Sequence, residues 1–75
     1  MTDAFVNVET SEDSKRVAED IGGIESVSES YAVKGQFDVL ARVEGVEETD
    51  LPRIVTGVIH EVVGVEETRT LVVDD

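Results

Sequence analysis

Two segments of the chain carry apolar residues at helical spacing, and each lies between short segments rich in β-branched residues. Apolar residues three and four positions apart form one face of a helix, whereas alternation with a period of two is typical of a half-buried strand. The pair Gly22-Gly23 ends the first helical pattern, and Gly64 ends the second. The sequence therefore predicts the order strand, helix, strand, strand, helix, strand.

Turn and capping residues set the limits of these elements. Thr10 or Ser11 offers a side-chain oxygen to cap the first helix, and the acidic residues after them, up to Asp13, favour its first turn. Thr49 or Asp50 can cap the second helix. The predicted strands cover residues 4–9, 27–33, 37–43 and 65–73. The apolar stripe of the second helix consists of Leu51, Ile54, Val55, Val58, Ile59 and Val62.

Residues 34–36 form a candidate tight turn between the second and third strands, which predicts a hairpin centred on Gly35. Right-handed crossovers in both halves of the chain place the two helices on one face of a four-stranded antiparallel sheet. This is the ferredoxin-like βαββαβ arrangement, an α+β fold of the dimeric α/β barrel type. A chain of 75 residues makes one domain at most, which covers residues 1–75.

The alternation also assigns residues to the two faces of the sheet. In the second strand it places Val27, Tyr31 and Val33 on one face, which Glu29 interrupts. The face toward the helices is expected to hold Val6, Val8, Val39, Ala41, Leu71 and Val73. Phe37 and Val43 alternate on the same side of the third strand as Val39 and Ala41. The opposite face then carries Phe5, Asn7, Leu40, Arg42, Thr70 and Val72. Of these, Phe5, Leu40 and Val72 make the face too apolar for free exposure. A domain of this size buries only about 60% of its unfolded surface, and the chain has no Cys for disulfides. We therefore expect a sheet-to-sheet homodimer with Phe5, Leu40 and Val72 in the interface.

Eighteen acidic residues against six basic ones give a net charge of −12 at pH 7, and the acids are spread along the whole chain. Such a surface repels nucleic acid, because DNA binding needs clustered Lys and Arg to neutralise phosphates. High acidity with little Lys and many Val side chains also suits a cytoplasm at high salt, where self-repulsion is screened. The sequence therefore predicts no direct nucleic-acid partner, and a halophilic source is a hypothesis.

The first residues run into a short apolar stretch without a basic segment or a long hydrophobic core. We therefore expect neither a signal peptide nor a transmembrane helix, no membrane partner, and a cytoplasmic location. The chain has no Cys, and its single histidine, His60, falls off the apolar stripe and is expected to be exposed. No catalytic nucleophile, metal site or cofactor is predicted.

The hairpin at residues 33–38 (VKGQFD) and the last strand, with residues 64–73, carry the most specific patterns in the chain. The hairpin resembles the Gly-x-aromatic-Asp turn of the effector-binding domain, or RAM domain, of Lrp/AsnC transcriptional regulators, and the resemblance covers nearly all of residues 4–73. The chain resembles the stand-alone form of that domain, without the DNA-binding helix-turn-helix of full-length members. Together with the acidic composition, this suggests a protein from a halophilic archaeon.

The resemblance also carries expectations about partners. The family's domain binds small effectors, typically amino acids, in clefts between dimers that assemble into rings such as octamers. It implies a homo-oligomer of this kind and an amino-acid effector. Because the stand-alone form lacks a DNA-binding part, the resemblance implies that any control of genes runs through a partner such as a full-length Lrp-like regulator.

A ligand site is predicted at the hairpin. Backbone amides around Gly35 can turn outward to hold a carboxylate, and Asp38 can face an ammonium group, which together suit an α-amino acid. Gln36 beside the turn glycine is included in the same site, although Lys34 and Gln36 stand where acidic or small polar residues are common in the family. Thr68 and Thr70 are expected to offer hydroxyls from another subunit. The alternatives are that Gly35 only makes the turn, that Asp38 accepts bonds from its own loop, and that both threonines are ordinary strand residues.

The sequence favours a sensing and oligomerisation module rather than an enzyme. The alternative is a small dimeric α/β-barrel enzyme of the monooxygenase type, which shares the fold and shows why fold alone does not decide function. Such enzymes usually line their cavity with histidine and aromatic side chains. This chain has only Phe5, Tyr31 and Phe37 as aromatic residues, which favours the sensing module.

Overall fold

The computed structural model describes residues 1–11, 13–34 and 38–73 of the chain. Within them, the strands are β1 (Thr2–Thr10), β2 (Val27–Ala32), β3 (Val39–Val46) and β4 (Val65–Val72). The helix α1 (Ser14–Gly22) follows β1. The second helical segment, residues 48–59, lies between β3 and β4 and consists of a 3-10 turn (Glu48–Asp50), the helix α2 (Leu51–Ile54) and a π-helical turn (Val55–Ile59). The predicted order of elements is confirmed.

The strands form an antiparallel sheet in the order β2-β3-β1-β4, so β1 and β3 are central and β2 and β4 lie at the edges. Helix α1 packs against β2 and β3. Residues of α1 and of segment 48–59 belong to the same buried core as the inward residues of the sheet, so both helical segments cover one face. The predicted ferredoxin-like α+β fold is therefore confirmed.

The core lies between the central strands and the helices. The sheet contributes the fully buried residues Val6, Val8, Val39, Ala41 and Val43, as the alternation predicts. The helical segments contribute the buried residues Val17, Ile21, Leu51, Ile54 and Ile59. Removing a Val, Leu or Ile side chain from water stabilises the fold by roughly 1.5–3 kcal/mol. Phe37, predicted on the same face as Val39, lies outside the described residues.

Strand β2 departs from the predicted alternation. Of the three apolar residues expected on one of its faces, Val27 is buried, but Tyr31 is 52% exposed and Val33 is also exposed. The pairing with β3 shifts register between Val27 and Glu29, which indicates a β-bulge, and an extra residue reverses the faces of the residues that follow. Tyr31 therefore pairs with Leu40 on the outer face of the sheet, away from the helices.

Strand β4 has the opposite facing from the predicted one. Val72 pairs with Ala4, which is fully buried on the helix side, and Leu71 pairs with Phe5 on the outer face. Residues directly opposite one another on neighbouring strands point to the same face. The prediction that Thr70 and Val72 lie on the outer face is therefore wrong, because Thr70 pairs with the buried Val6. Leu71, predicted to face the helices, lies on the outer face instead. Both faces of β4 mix polar and apolar residues, so the alternation could not decide between them.

Helix α1 begins one turn later than the predicted caps imply. Its N-cap is Asp13, whose φ of 43° is left-handed and whose side chain accepts a hydrogen bond from the backbone N–H of Arg16 at 3.2 Å. Thr10 is the last residue of β1, and Ser11 also precedes the cap. The prediction of Thr10 or Ser11 as the cap, with Asp13 inside the first turn, is therefore wrong. The predicted end is confirmed, because α1 ends at Gly22.

The second helical segment begins without a side-chain cap. Thr49 lies inside the 3-10 turn, whereas Asp50 occupies the N-cap position of α2, as predicted, although its side chain accepts no capping hydrogen bond. The π-helical turn is closed by a bond from the N–H of His60 to the carbonyl of Val55 at 2.8 Å. His60 is exposed, as predicted. Neither helical segment is long and apolar enough to cross a membrane, and the same holds for the rest of the described chain.

Candidate ligand-binding groove

An open groove of about 550 Å³ lies between segment 48–59 and the edge strand β4. Its helical wall is formed by Glu48, Leu51, Pro52, Val55 and Thr56. Its strand wall is formed by Thr68, Thr70 and Val72. The volume falls within the roughly 300–1,000 Å³ that is typical of small-molecule pockets. The groove is therefore a candidate ligand site by size and by its mixture of apolar and hydroxyl groups.

The register of β4 explains why both threonines reach this groove. Thr70 pairs with Val6 and Thr68 pairs with Val8, and both valines point toward the helices. The helices cover the central strands more fully than β4, since the threonines are only half-buried and Val72 is 45% exposed. Thr68 and Thr70 thus lie on one wall, as their spacing of two predicts.

The two ends of the groove differ in chemistry. Strand β3 ends at Val46, which pairs with Thr2, so Glu48 lies at the same end of the sheet as Val72. Thr68 lies four residues away along β4, or about 13 Å at the usual rise of a strand. One end therefore carries the carboxylate of Glu48 and the other the hydroxyl of Thr68, with Thr70 and apolar side chains between them.

Asp38 accepts hydrogen bonds within the fold, as its structural alternative expects, but from Thr10 of β1 rather than from its own loop. Its Oδ2 accepts hydrogen bonds from both the backbone N–H and the hydroxyl of Thr10, each at 3.1 Å. Its backbone N–H donates to the carbonyl of Val8 at 3.1 Å, and its carbonyl accepts from the N–H of Val33 at 2.8 Å. These bonds fasten the start of β3 to the end of β1. Both side-chain bonds end on Oδ2, so neither uses Oδ1.

The predicted site residues do not all meet within one copy of the chain. Asp38 and Thr68 lie on opposite sides of β1, so their strands are two spacings, or about 10 Å, apart. Thr68 and Thr70 line the groove, but Asp38 does not. Gly35 and Gln36 lie outside the described residues.

The outer face of the sheet carries a second group of interacting side chains. Arg42 lies over the ring of Phe5, with the guanidinium carbon 5.8 Å from the ring centroid. Its Nη1 lies 3.9 Å from Glu29 Oε2, and its Nε lies 3.6 Å from Glu44 Oε1. These ion pairs are loose and partly exposed. The charge of Glu29, together with a hydrogen bond to it, raises the pKa of Tyr31 above its usual range.

Sequence reasoning missed most of the helical wall of the groove. Leu51 and Val55 are predicted as part of the core stripe, and both are indeed buried while also lining the groove. Glu48, Pro52 and Thr56 are not among the predicted site residues. These three residues are spaced by four, which places them in one row along a helix. That spacing, beside a strand with two threonines on one face, is the signal that could have found them.

The fold and the groove together define a small ferredoxin-like domain with a cleft of ligand size beside its edge strand. Residues 3–74 match the family model described as the Lrp/AsnC ligand binding domain. Because this match spans nearly the whole chain, the chain belongs to the Lrp/AsnC ligand-binding domain family. No curated protein matches the chain in sequence.

The structure is similar to several solved structures. The protein TTHA0845 from Thermus thermophilus has 32% sequence identity and a TM-score of 0.90, over 100% of this chain and 95% of that one. The hypothetical protein PHS023 from Pyrococcus horikoshii has 27% identity and a TM-score of 0.86, over 99% of this chain and 90% of that one.

One similar structure belongs to a longer protein. The transcriptional regulator NMB0573 from Neisseria meningitidis, solved as a complex with L-Met, has 18% identity and a TM-score of 0.82. The match covers 99% of this chain and spans 50% of the regulator's length. At this identity the likeness shows the shared fold alone.

Proposed function

We propose that this domain binds an amino acid and couples the binding to its own assembly, as a sensing module of the Lrp/AsnC type without catalytic activity or cofactor. The single observation that carries the proposal is the groove beside β4, with Thr68 and Thr70 on its strand wall. Membership of a ligand-binding family supports it. The complex of the Neisseria meningitidis regulator with L-Met is consistent with an amino-acid ligand.

The proposed binding site lies between neighbouring copies of the chain. One copy contributes Thr68 and Thr70 from its groove, and the other contributes the hairpin with Gly35, Gln36 and Asp38. The hairpin amides hold the ligand carboxylate, and Asp38 Oδ1 holds the α-ammonium group. The separation of Asp38 from Thr68 within one copy supports this arrangement, because β1 lies between their strands.

The proposed assembly begins with a sheet-to-sheet homodimer. Phe5 and Leu40 on the outer face form its centre, and Leu71, which is 50% exposed, replaces Val72 in the interface. Tyr31 adds a further exposed aromatic side chain to the same face. In a dimer with two-fold symmetry, the same apolar surface of the second copy would cover this one. Dimers then assemble into a ring such as an octamer, which brings the hairpin of one dimer to the groove of the next.

The net charge of −12 opposes direct contact between this domain and duplex DNA. We therefore propose that an effect on transcription runs through a full-length Lrp-like regulator that assembles with it. A gel shift of the isolated domain on duplex DNA at physiological salt is expected to show no complex. Sub-micromolar binding would contradict this part of the proposal.

A thermal-shift screen of the twenty amino acids, followed by calorimetry, tests the sensing function. At least one amino acid is expected to raise the melting temperature. The variant Thr70→Val is expected to weaken its binding about threefold to tenfold, because one hydroxyl hydrogen bond is lost. Thr49→Val is the matched control, since Thr49 is exposed and does not line the groove. If no amino acid binds the wild-type protein, the proposed function is wrong.

A further inference from the structure

We propose that the groove selects a basic amino acid, with the aliphatic stem of the side chain along the apolar walls and its terminal ammonium at Glu48. This inference rests on the proposed amino-acid sensing and adds the class of side chain. The geometry that carries it is the position of one carboxylate at the end of the groove opposite Thr68.

The charge of the groove distinguishes acidic from basic ligands. Among the described residues that line the groove, Glu48 is the only charged one, and none is basic. The chain as a whole carries a net charge of −12. An acidic side chain in this groove would meet a carboxylate without a compensating cation, which is unfavourable, whereas a cation is attracted both locally and by the surrounding field.

The walls between the two ends favour a long unbranched stem. The apolar part of the lining consists of Leu51, Pro52 and Val55 on the helical wall and Val72 on the strand wall. Side chains of the lysine type bury their methylene groups against such apolar surfaces and keep the charged tip in water. Glu48 is exposed, so the tip would remain hydrated while it pairs with the carboxylate.

The length of the groove decides the orientation of the amino acid within it. The α-amino and α-carboxylate groups lie beside Thr68 and Thr70, whose hydroxyls offer them hydrogen bonds. Thr70 lies two residues before Val72 along β4, so a side chain that starts beside Thr70 must extend about 7 Å to approach Glu48. Short side chains such as those of alanine and serine cannot do so. A long basic side chain can extend that far, and its terminal charge then pairs with Glu48.

Isothermal titration with L-lysine, L-norleucine and L-glutamate tests the inference. Norleucine shares the lysine stem but lacks the ammonium, so their difference isolates the contact with Glu48. We expect the wild-type protein to bind lysine about fivefold or more tightly than norleucine, as an exposed ion pair allows. Glutamate is expected to bind weakest.

Three variants complete the experiment. Glu48→Gln is expected to remove most of the preference for lysine over norleucine, and Glu48→Lys to shift the preference toward glutamate. Glu47→Gln removes the same charge from the neighbouring residue, which does not line the groove, and is expected to keep the preference. Circular dichroism and light scattering verify fold and assembly in each variant.

The outcomes separate this inference from the proposed function. If norleucine or methionine binds the wild-type protein as tightly as lysine, or if Glu48→Gln keeps the lysine preference, the basic side-chain class is wrong and amino-acid sensing stands. If none of the amino acids binds the wild-type protein, both proposals are wrong.

Discussion

Thr70 lies directly opposite Val6 in the β1–β4 ladder, and Val6 is fully buried under the helices. This pairing turns the Thr70 hydroxyl toward segment 48–59 and away from the outer face of the sheet. It also turns Leu71 outward beside Phe5. One register therefore determines both which residues of β4 line the groove and which residue joins the apolar outer face.

The two faces of β4 can be separated by matched substitutions. Leu71→Arg is expected to weaken the proposed dimer at least tenfold, because it places an unpaired charge in an apolar interface. Val72→Arg introduces the same group one residue later, on the groove side, and is expected to leave the dimer intact. Light scattering over a concentration series measures both. Dissociation by Val72→Arg with no effect of Leu71→Arg would contradict the proposed interface.

The bonds between Asp38 and Thr10 predict a difference between two variants. Thr10→Val removes only the hydroxyl bond and is expected to lower the free energy of unfolding by about 1 kcal/mol. Asp38→Ala is expected to lower it by about 1–3 kcal/mol and also to weaken ligand binding about tenfold or more, because Oδ1 is lost. Denaturant unfolding and calorimetry measure the two effects. If both variants bind the ligand as tightly as the wild type with assembly unchanged, Asp38 is only structural.

The packing of α1 on the sheet predicts a large effect at Ile21. This side chain is fully buried, so Ile21→Ala is expected to lower the free energy of unfolding by about 2–5 kcal/mol through lost burial and a residual cavity. Val63→Ala is the control, because Val63 is 75% exposed, and a change within about 0.5 kcal/mol is expected. Both proteins are unfolded in urea at one fixed concentration, since association contributes to stability.

The net charge predicts that salt stabilises the protein. The Debye screening length falls from about 10 Å at 0.1 M ionic strength to about 3 Å at 1 M, so repulsion among the acidic residues weakens. We expect a higher melting temperature in about 1 M than in about 0.1 M KCl. Replacing the exposed Glu66 and Glu67 by Gln should reduce the difference. Equal melting temperatures for the wild type in both solutions would end the halophilic hypothesis.

Much of the fold could be predicted from the sequence because the central elements carry unambiguous patterns. Val39, Ala41 and Val43 alternate with polar or half-exposed residues, so only one facing of β3 buries its apolar side. Gly22-Gly23 similarly ends α1, since glycine tolerates the turn that leaves a helix. Local signals were insufficient to identify Asp13 as the N-cap of α1, because several neighbouring residues can supply a capping oxygen. The path of the chain selects one of them.

The sequence by itself thus determined the order of elements, the core of the central strands and the pair of threonines on one face of β4. The tertiary structure alone decided which face that was, because β4 lies at the sheet edge and burial constrains neither of its sides strongly. It also decided the groove, whose walls come from segment 48–59 and from β4. Local periodicity describes each wall separately, whereas the distance between Glu48 and Thr68 exists only after the helix packs against the sheet.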